Sequence, residues 1–198
     1  MTRKVYLIIG IGVLAVVGLL WFAFGSAKLR QYEVISDEVF YRAAVSSLDE
    51  FVDVEAKVSP AYVMIGMHEH EQEVEPWASI IGYAGRNQIP VAQVAISSDG
   101  TLPNSQVDMV LPRLTSGKRF PVLFISADGA YGGMVAAAYR LNVEKMPLDE
   151  VEKLAALPDA PADTTRRIRE FARAYGKTHS ADSNSTPTTA PATNAATN

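Results

Sequence analysis

Ser126 closes an apolar run, PVLFIS, and opens onto the glycine-rich stretch ADGAYGG, which leads straight into MVAAAYRLNV. A strand, a tight loop and a helix in that order hold an anion well. The loop points several backbone N–H groups at one spot, and the helix dipole stands behind them. Ser126, Ala127, Asp128, Gly129, Ala130, Tyr131, Gly132 and Gly133 are therefore the candidate ligand-binding residues. The loop lacks the Lys-Ser/Thr ending of a nucleotide-binding loop. Nor does Ser126 read as a hydrolase nucleophile, because Phe124 stands where a nucleophile elbow needs glycine. The three histidines offer it no evident base. His68-Glu69-His70-Glu71 has metal-ligand side chains, but histidines at i and i+2 suit a strand face and no third ligand is near, so a solvated acidic loop is expected. Arg166, Arg167, Arg169 and Arg173 put positive charge on a C-terminal helix, a solvated face or a surface for an acidic partner. The chain contains no cysteine, which excludes disulfides, Cys-ligated zinc and all thiolate chemistry. No cofactor or metal is implied.

These residues need elements to position them. Glu33-Val34-Ile35 and Val39-Phe40-Tyr41 read as short strands. Ser47 can cap a helix carrying Leu48, Phe51, Val52 and Val54, with Asp49 and Glu50 well placed in its first turn. Residues 61–67 (AYVMIGM) and 89–96 (IPVAQVAI) read as strands, with a helix over 77–84 between them. Asn104 can cap a helix that turns Val107, Val110, Leu111 and Leu114 inward and ends near Gly117. Residues 121–126 form the clearest buried strand, and helices are expected over 134–143, 148–157 and 164–175. Strands separated by helices predict an α/β layered domain with a central, mostly parallel sheet.

The ends of the 198-residue chain differ from its middle. Residues 5–25 carry no charge, and roughly 21 residues at about 1.5 Å each make a helix about 31 Å long, enough to span a bilayer. The run exceeds the roughly 7–15 residues of a secretory signal, so one uncleaved transmembrane helix is expected after a short basic N-terminus, residues 1–4. Arg3 and Lys4 lean that terminus toward the cytoplasm and the domain, residues 26–177, toward the extracytoplasmic side. Residues 178–198 are rich in Thr, Pro, Ala and Asn and read as a disordered tail. The net charge is −4, and no basic stripe interleaved with aromatics suggests nucleic acid.

Taken whole, residues 121–155 (PVLFISADGAYGGMVAAAYRLNVEKMPLDEVEKLA) resemble the active-site segment of the dual-specificity and tyrosine protein phosphatase superfamily. In that family a strand ends in His-Cys, five residues follow, and an Arg opens the helix. Phe40-Tyr41-Arg42-Ala43 is similar to the Tyr-Arg entry of compact members, and Ile89-Pro90-Val91 to the strand before the general-acid loop. The resemblance spans roughly residues 33–176 and implies a phosphatase-like three-layer domain.

It also implies a site stripped of its chemistry. Ile125 falls where the family has His, Ser126 where it has the nucleophilic Cys, Gly132 where it has the phosphate-gripping Arg, and Gly133 where a Ser or Thr often follows. A serine hydroxyl lacks the low pKa of a thiol, and glycine offers no guanidinium fork. Asp99, in SSDGTLP, falls near the family's general acid, or else forms a plain Asp-Gly turn. Asp128 lies inside the cradle, where its carboxylate either competes with a phosphate for N–H donors or turns outward to cap the helix. The expectation is a membrane-anchored pseudophosphatase that binds a protein partner or ligand. The alternative is a residual phosphatase-type hydrolase working from a non-cysteine site.

Overall fold

The computed structural model describes residues 32–116, 120–155 and 160–182. The apolar stretch over 5–25 lies outside the described residues, among which no helix is long and apolar enough to cross a membrane. Five strands form one sheet: β1 (Glu33–Ser36), β2 (Phe40–Ala44), β3 (Tyr62–Met67), β4 (Val91–Ala95) and β5 (Val122–Ser126). Their order is β1-β2-β5-β3-β4. Only the β1–β2 pair is antiparallel; β2–β5, β5–β3 and β3–β4 are parallel. The expected α/β layering with a mostly parallel sheet is the observed one.

Among the described residues six α-helices connect and follow the strands: α1 (Leu48–Val58), α2 (Trp77–Arg86), α3 (Asn104–Thr115), α4 (Ala130–Asn142), α5 (Leu148–Leu154) and α6 (Ala162–Asp182). Parallel crossovers are right-handed, so the direction of travel across the sheet decides which face a helix covers. The steps β2 to β3 and β3 to β4 run one way and place α1 and α2 on one face. The step β4 to β5 runs back and places α3 on the other. Side-chain alternation agrees. Phe40, Met64, Val94, Val122 and Phe124 share a core with Val107, Leu111, Met134, Ala138, Ile168 and Tyr175 from α3, α4 and α6. Val63, Ile65, Leu123 and Ile125, of opposite phase, are equally buried. Burying each such large side chain contributes about 2 kcal/mol.

Local chemistry sets the helix ends. The Ser47 hydroxyl accepts from Glu50 N at 3.2 Å, as its capping position predicts. Asn104 is a correction: it is the first helical residue of α3, and Pro103 is the cap, whose carbonyl takes the N–H groups of Gln106 and Val107. Gly117, expected at the end of that helix, lies outside the described residues. Helix α4 starts at Ala130, four residues before the expected Met134, and absorbs half of the glycine-rich stretch. Helix α6 runs on to Asp182, past the start expected for the tail at Thr178. No proline interrupts the chain there before Pro187, and the His179 ring stacks on Tyr175 one turn earlier, 3.9 Å between centroids.

One polar cluster locks the helical layer to the sheet and a second ties three helices to one another. Glu33, on the edge strand, accepts from Arg42 Nε at 2.6 Å and pairs with Arg140 Nη2 at 2.7 Å, joining β1, β2 and α4. Arg42 is 1% exposed, and burial lowers its pKa against the pull of Glu33. On α6, the buried Tyr175 hydroxyl accepts from Asn142 Nδ2 at 2.6 Å and faces Asp108 Oδ1 at 3.4 Å. Burial, with the Asp108 charge beside it, pushes the Tyr175 phenol up to about 12.

Each cluster has a measurable consequence. Glu33→Gln leaves a buried guanidinium without its counter-charge and should cost about 3 kcal/mol in urea unfolding. Because the folded chain holds the Tyr175 proton longer than the unfolded chain does, stability is intact below the ordinary tyrosine value near 10 and falls as pH climbs toward about 12. Tyr175→Phe should reduce that alkaline loss when unfolding midpoints are compared across the same range, leaving the share of the other raised tyrosines such as Tyr131.

Candidate functional site

Four strands run parallel, so their C-terminal ends share one edge of the sheet, where open α/β sheets place their ligands. The segments leaving β3, β4 and β5 there are His68 onward, the turn at residues 97–101, and Ala127-Asp128-Gly129. Ser126 is the last residue of β5. It is fully buried, and its Oγ has no hydrogen-bond partner among the described residues. Its carbonyl accepts from Val45 N at 3.0 Å and from Gly129 N at 3.4 Å, which turns the chain back on itself. Gly129, at φ 71°, makes that turn in the left-handed region that side chains rarely enter.

Asp128 answers the question its position raises. Its Oδ1 accepts from Ala130 N at 2.9 Å, capping α4. Its Oδ2 accepts from Arg167 Nη1 at 2.7 Å. The carboxylate thus caps the helix and also takes one of the N–H donors an anion would use. Arg167 reaches in from α6, is 25% exposed, and donates a second bond from Nη2 to Gly100 O at 3.3 Å. Its guanidinium lies over the Tyr131 ring, 5.1 Å from the centroid. The Tyr131 hydroxyl donates to the same Gly100 carbonyl at 3.2 Å. Burial lowers the Arg167 pKa, but the Asp128 and Tyr131 charges outweigh it and leave the value raised. Burial raises the Tyr131 pKa against the pull of Arg167, with Asp128 and Glu71 adding to the rise.

The other half of the loop is shaped by close packing. A Cβ on Gly132 would lie 3.2 Å from Arg42 Cβ and 3.3 Å from Phe124 Cδ1. One on Gly133 would lie 2.1 Å from Arg42 Nη1 and 2.3 Å from Ile168 Cδ1. Position 132 therefore carries no side chain toward the loop, and the first turn of α4 rests directly on Arg42 and the sheet. Arg42 Nη1 has no partner among the described residues.

Asp99 behaves as an Asp-Gly turn. Its carboxylate accepts from Thr101 N at 3.0 Å and Thr101 Oγ1 at 2.7 Å. Those bonds hold it below the usual carboxylate range, the wrong direction for a proton donor at neutral pH. The turn does reach the loop, through the Gly100 carbonyl rather than the Asp99 side chain. His68-Glu69-His70-Glu71 forms a 3-10 turn with the two imidazoles stacked 5.6 Å apart. Glu71 accepts from His68 N at 2.9 Å. Among the described residues no group of three or more His, Asp and Glu could hold a metal ion.

Arg167 and Tyr131 are the site residues whose parts the sequence did not reveal. Arg166, Arg169 and Arg173 recur at helical spacing. Arg166 pairs with Asp163 and Glu170, Arg173 pairs with Glu152, and Arg169 donates to the Glu152 carbonyl. Arg167 sits one residue off that stripe, about 100° around the helix, and that offset was the available signal.

No family model and no curated protein matches the chain. Solved structures do. The core catalytic domain of the PP-IP phosphatase SIW14 from S. cerevisiae, in complex with citrate, superposes with a TM-score of 0.57 at 15% identity, over 80% of this chain and 95% of that one. TpbA from P. aeruginosa gives 0.57 at 18% identity, over 78% and 92%. A cysteine-to-serine variant of TpbA in complex with phosphotyrosine gives 0.54 at 17% identity, over 80% and 99%. The fold is that of the tyrosine-phosphatase-like phosphatases.

The packing around α4 predicts the outcome of adding one methyl group. Gly133→Ala must displace Arg42 and Ile168, both buried, and should lower stability by about 1–3 kcal/mol in chemical denaturation.

Proposed function

We propose that this chain is a membrane-anchored, phosphatase-like domain that binds a ligand or protein partner without hydrolysing it. The observation that carries this reading is Ser126, the residue at the nucleophile's place, fully buried and with no hydrogen-bond partner for its hydroxyl among the described residues. Phosphoryl transfer to an enzyme needs a nucleophile that is activated by a base or a depressed pKa and can reach phosphorus. Among the described residues the Ser126 hydroxyl has no base in contact, so it fails the first condition. Gly132, in the place of the family's arginine, adds no guanidinium to the developing charge. Asp99, tied to Thr101 and held below the usual range, adds no acid.

The proposed anchor is the uncharged run over residues 5–25, and the slight basic bias of residues 1–4 places the domain on the extracytoplasmic side. The ligand class to test first is a phosphomonoester, since the serine variant of TpbA was solved with phosphotyrosine. One observation favours the alternative, a residual hydrolase: Arg167 sets a guanidinium beside the loop. That group supplies charge but no nucleophile.

The test is turnover. Purified full-length chain, given an aryl phosphate and a panel of phosphotyrosyl peptides, should match Ser126→Ala within about twofold. Turnover in the wild type that disappears in Ser126→Ala would establish a serine-dependent hydrolase and end this reading.

A further inference from the structure

Asp128 spans two donors of different kinds. One oxygen takes the backbone N–H of Ala130 at the head of α4, and the other takes a guanidinium N–H of Arg167. A tetrahedral oxyanion would use the same pair, because helix N-termini and arginine forks both favour oxygens bearing negative charge. Ser126 adds an independent sign of a ligand. It follows Phe124 in strand alternation, so it lies on the face covered by α4, and its buried hydroxyl has no partner among the described residues. Buried hydroxyls are ordinarily satisfied, and one that is not calls for an explanation such as an absent ligand.

Arg167 is held in place by more than Asp128. Its Nη2 bond to Gly100 O and its position over the Tyr131 ring fix the guanidinium from two other sides. The arginine would stay at the loop if the carboxylate left. Asp128 is 36% exposed, and a solvent-facing ion pair is weak enough for a competing anion to replace.

We propose that Arg167 is the oxyanion-binding arginine of this site, delivered from α6 where the loop itself has Gly132, and that Asp128 is its resident counter-anion. A phosphate group binds by displacing the Asp128 carboxylate and taking over both Arg167 and the head of α4. In its resting form the site is self-occupied. This rests on the reading of residues 126–133 as a ligand-binding loop and names the residue that grips the ligand and the one that restrains it.

The experiment is a double-mutant cycle on the full-length chain, with inorganic phosphate as the probe and calorimetric titration as the readout. Asp128→Asn keeps an oxygen for Ala130 N but removes the charge that holds Arg167. It should bind phosphate at least about tenfold more tightly than wild type, a coupling typical of groups in direct contact. Adding Arg167→Gln to that variant should erase the gain. Asp128→Ser, which also keeps a capping oxygen, serves as a second neutralised background should Asp128→Asn not fold. Unchanged phosphate affinity in the neutralised variants, or a gain that survives Arg167→Gln, overturns the proposal. Aryl phosphate turnover by the wild type would overturn the non-enzymatic reading and leave this assignment standing, so the two failures are distinguishable.

Discussion

The site depends on how closely α4 lies on the sheet. Its first turn has no side chain at Gly132 or Gly133, and Ala136, Ala137 and Ala138 continue the small surface. That lets the helix settle onto Phe124 and onto the buried guanidinium of Arg42. The same guanidinium is tied to Glu33, which also holds Arg140, two turns further along the same face of the helix. One carboxylate on the edge strand thus joins two buried arginines and fastens the start of the domain to the helix that carries the loop. The glycines at the loop are consequently packing residues, and their lack of chemistry is a by-product of that packing.

The loop carries no cation of its own, and charge at its mouth is organised from elsewhere. Arg167 comes from the last helix, Gly100 from the turn after β4, and Tyr131 from the first turn of α4. Three segments distant in sequence meet at one carbonyl oxygen and one ring. Asp128 neutralises the arginine while capping the helix, so a single side chain sets both the local structure and the local potential. An ion pair half in solvent contributes little to stability.

A shared fold transmits geometry, not chemistry. The likeness to catalytic phosphatase domains extends over most of the chain, yet the residues at the strand-loop-helix differ in kind. At that place this chain has a buried serine, a glycine pair and a carboxylate paired to an arginine from the last helix.

Among the described residues the five strands and six helices were legible from hydrophobic pattern, the helices by their 3.6-residue spacing and the central strands as short continuous apolar runs buried on both faces. The loop and Ser126 were legible for the same reason, being the only way to join the clearest strand to the most alanine-rich helix. The helix boundaries were less so. Asn104 and Pro103 compete for one capping position, and the head of α4 depends on Asp128 and Gly129 acting together. What composition and spacing decided by themselves was the absence of thiolate chemistry and of an arginine at position 132. What only the tertiary structure decided was which arginine reaches the loop and which way Asp128 and Asp99 turn. Those outcomes rest on contacts between segments tens of residues apart, and local sequence does not encode such contacts because each is set by where the other segment comes to rest.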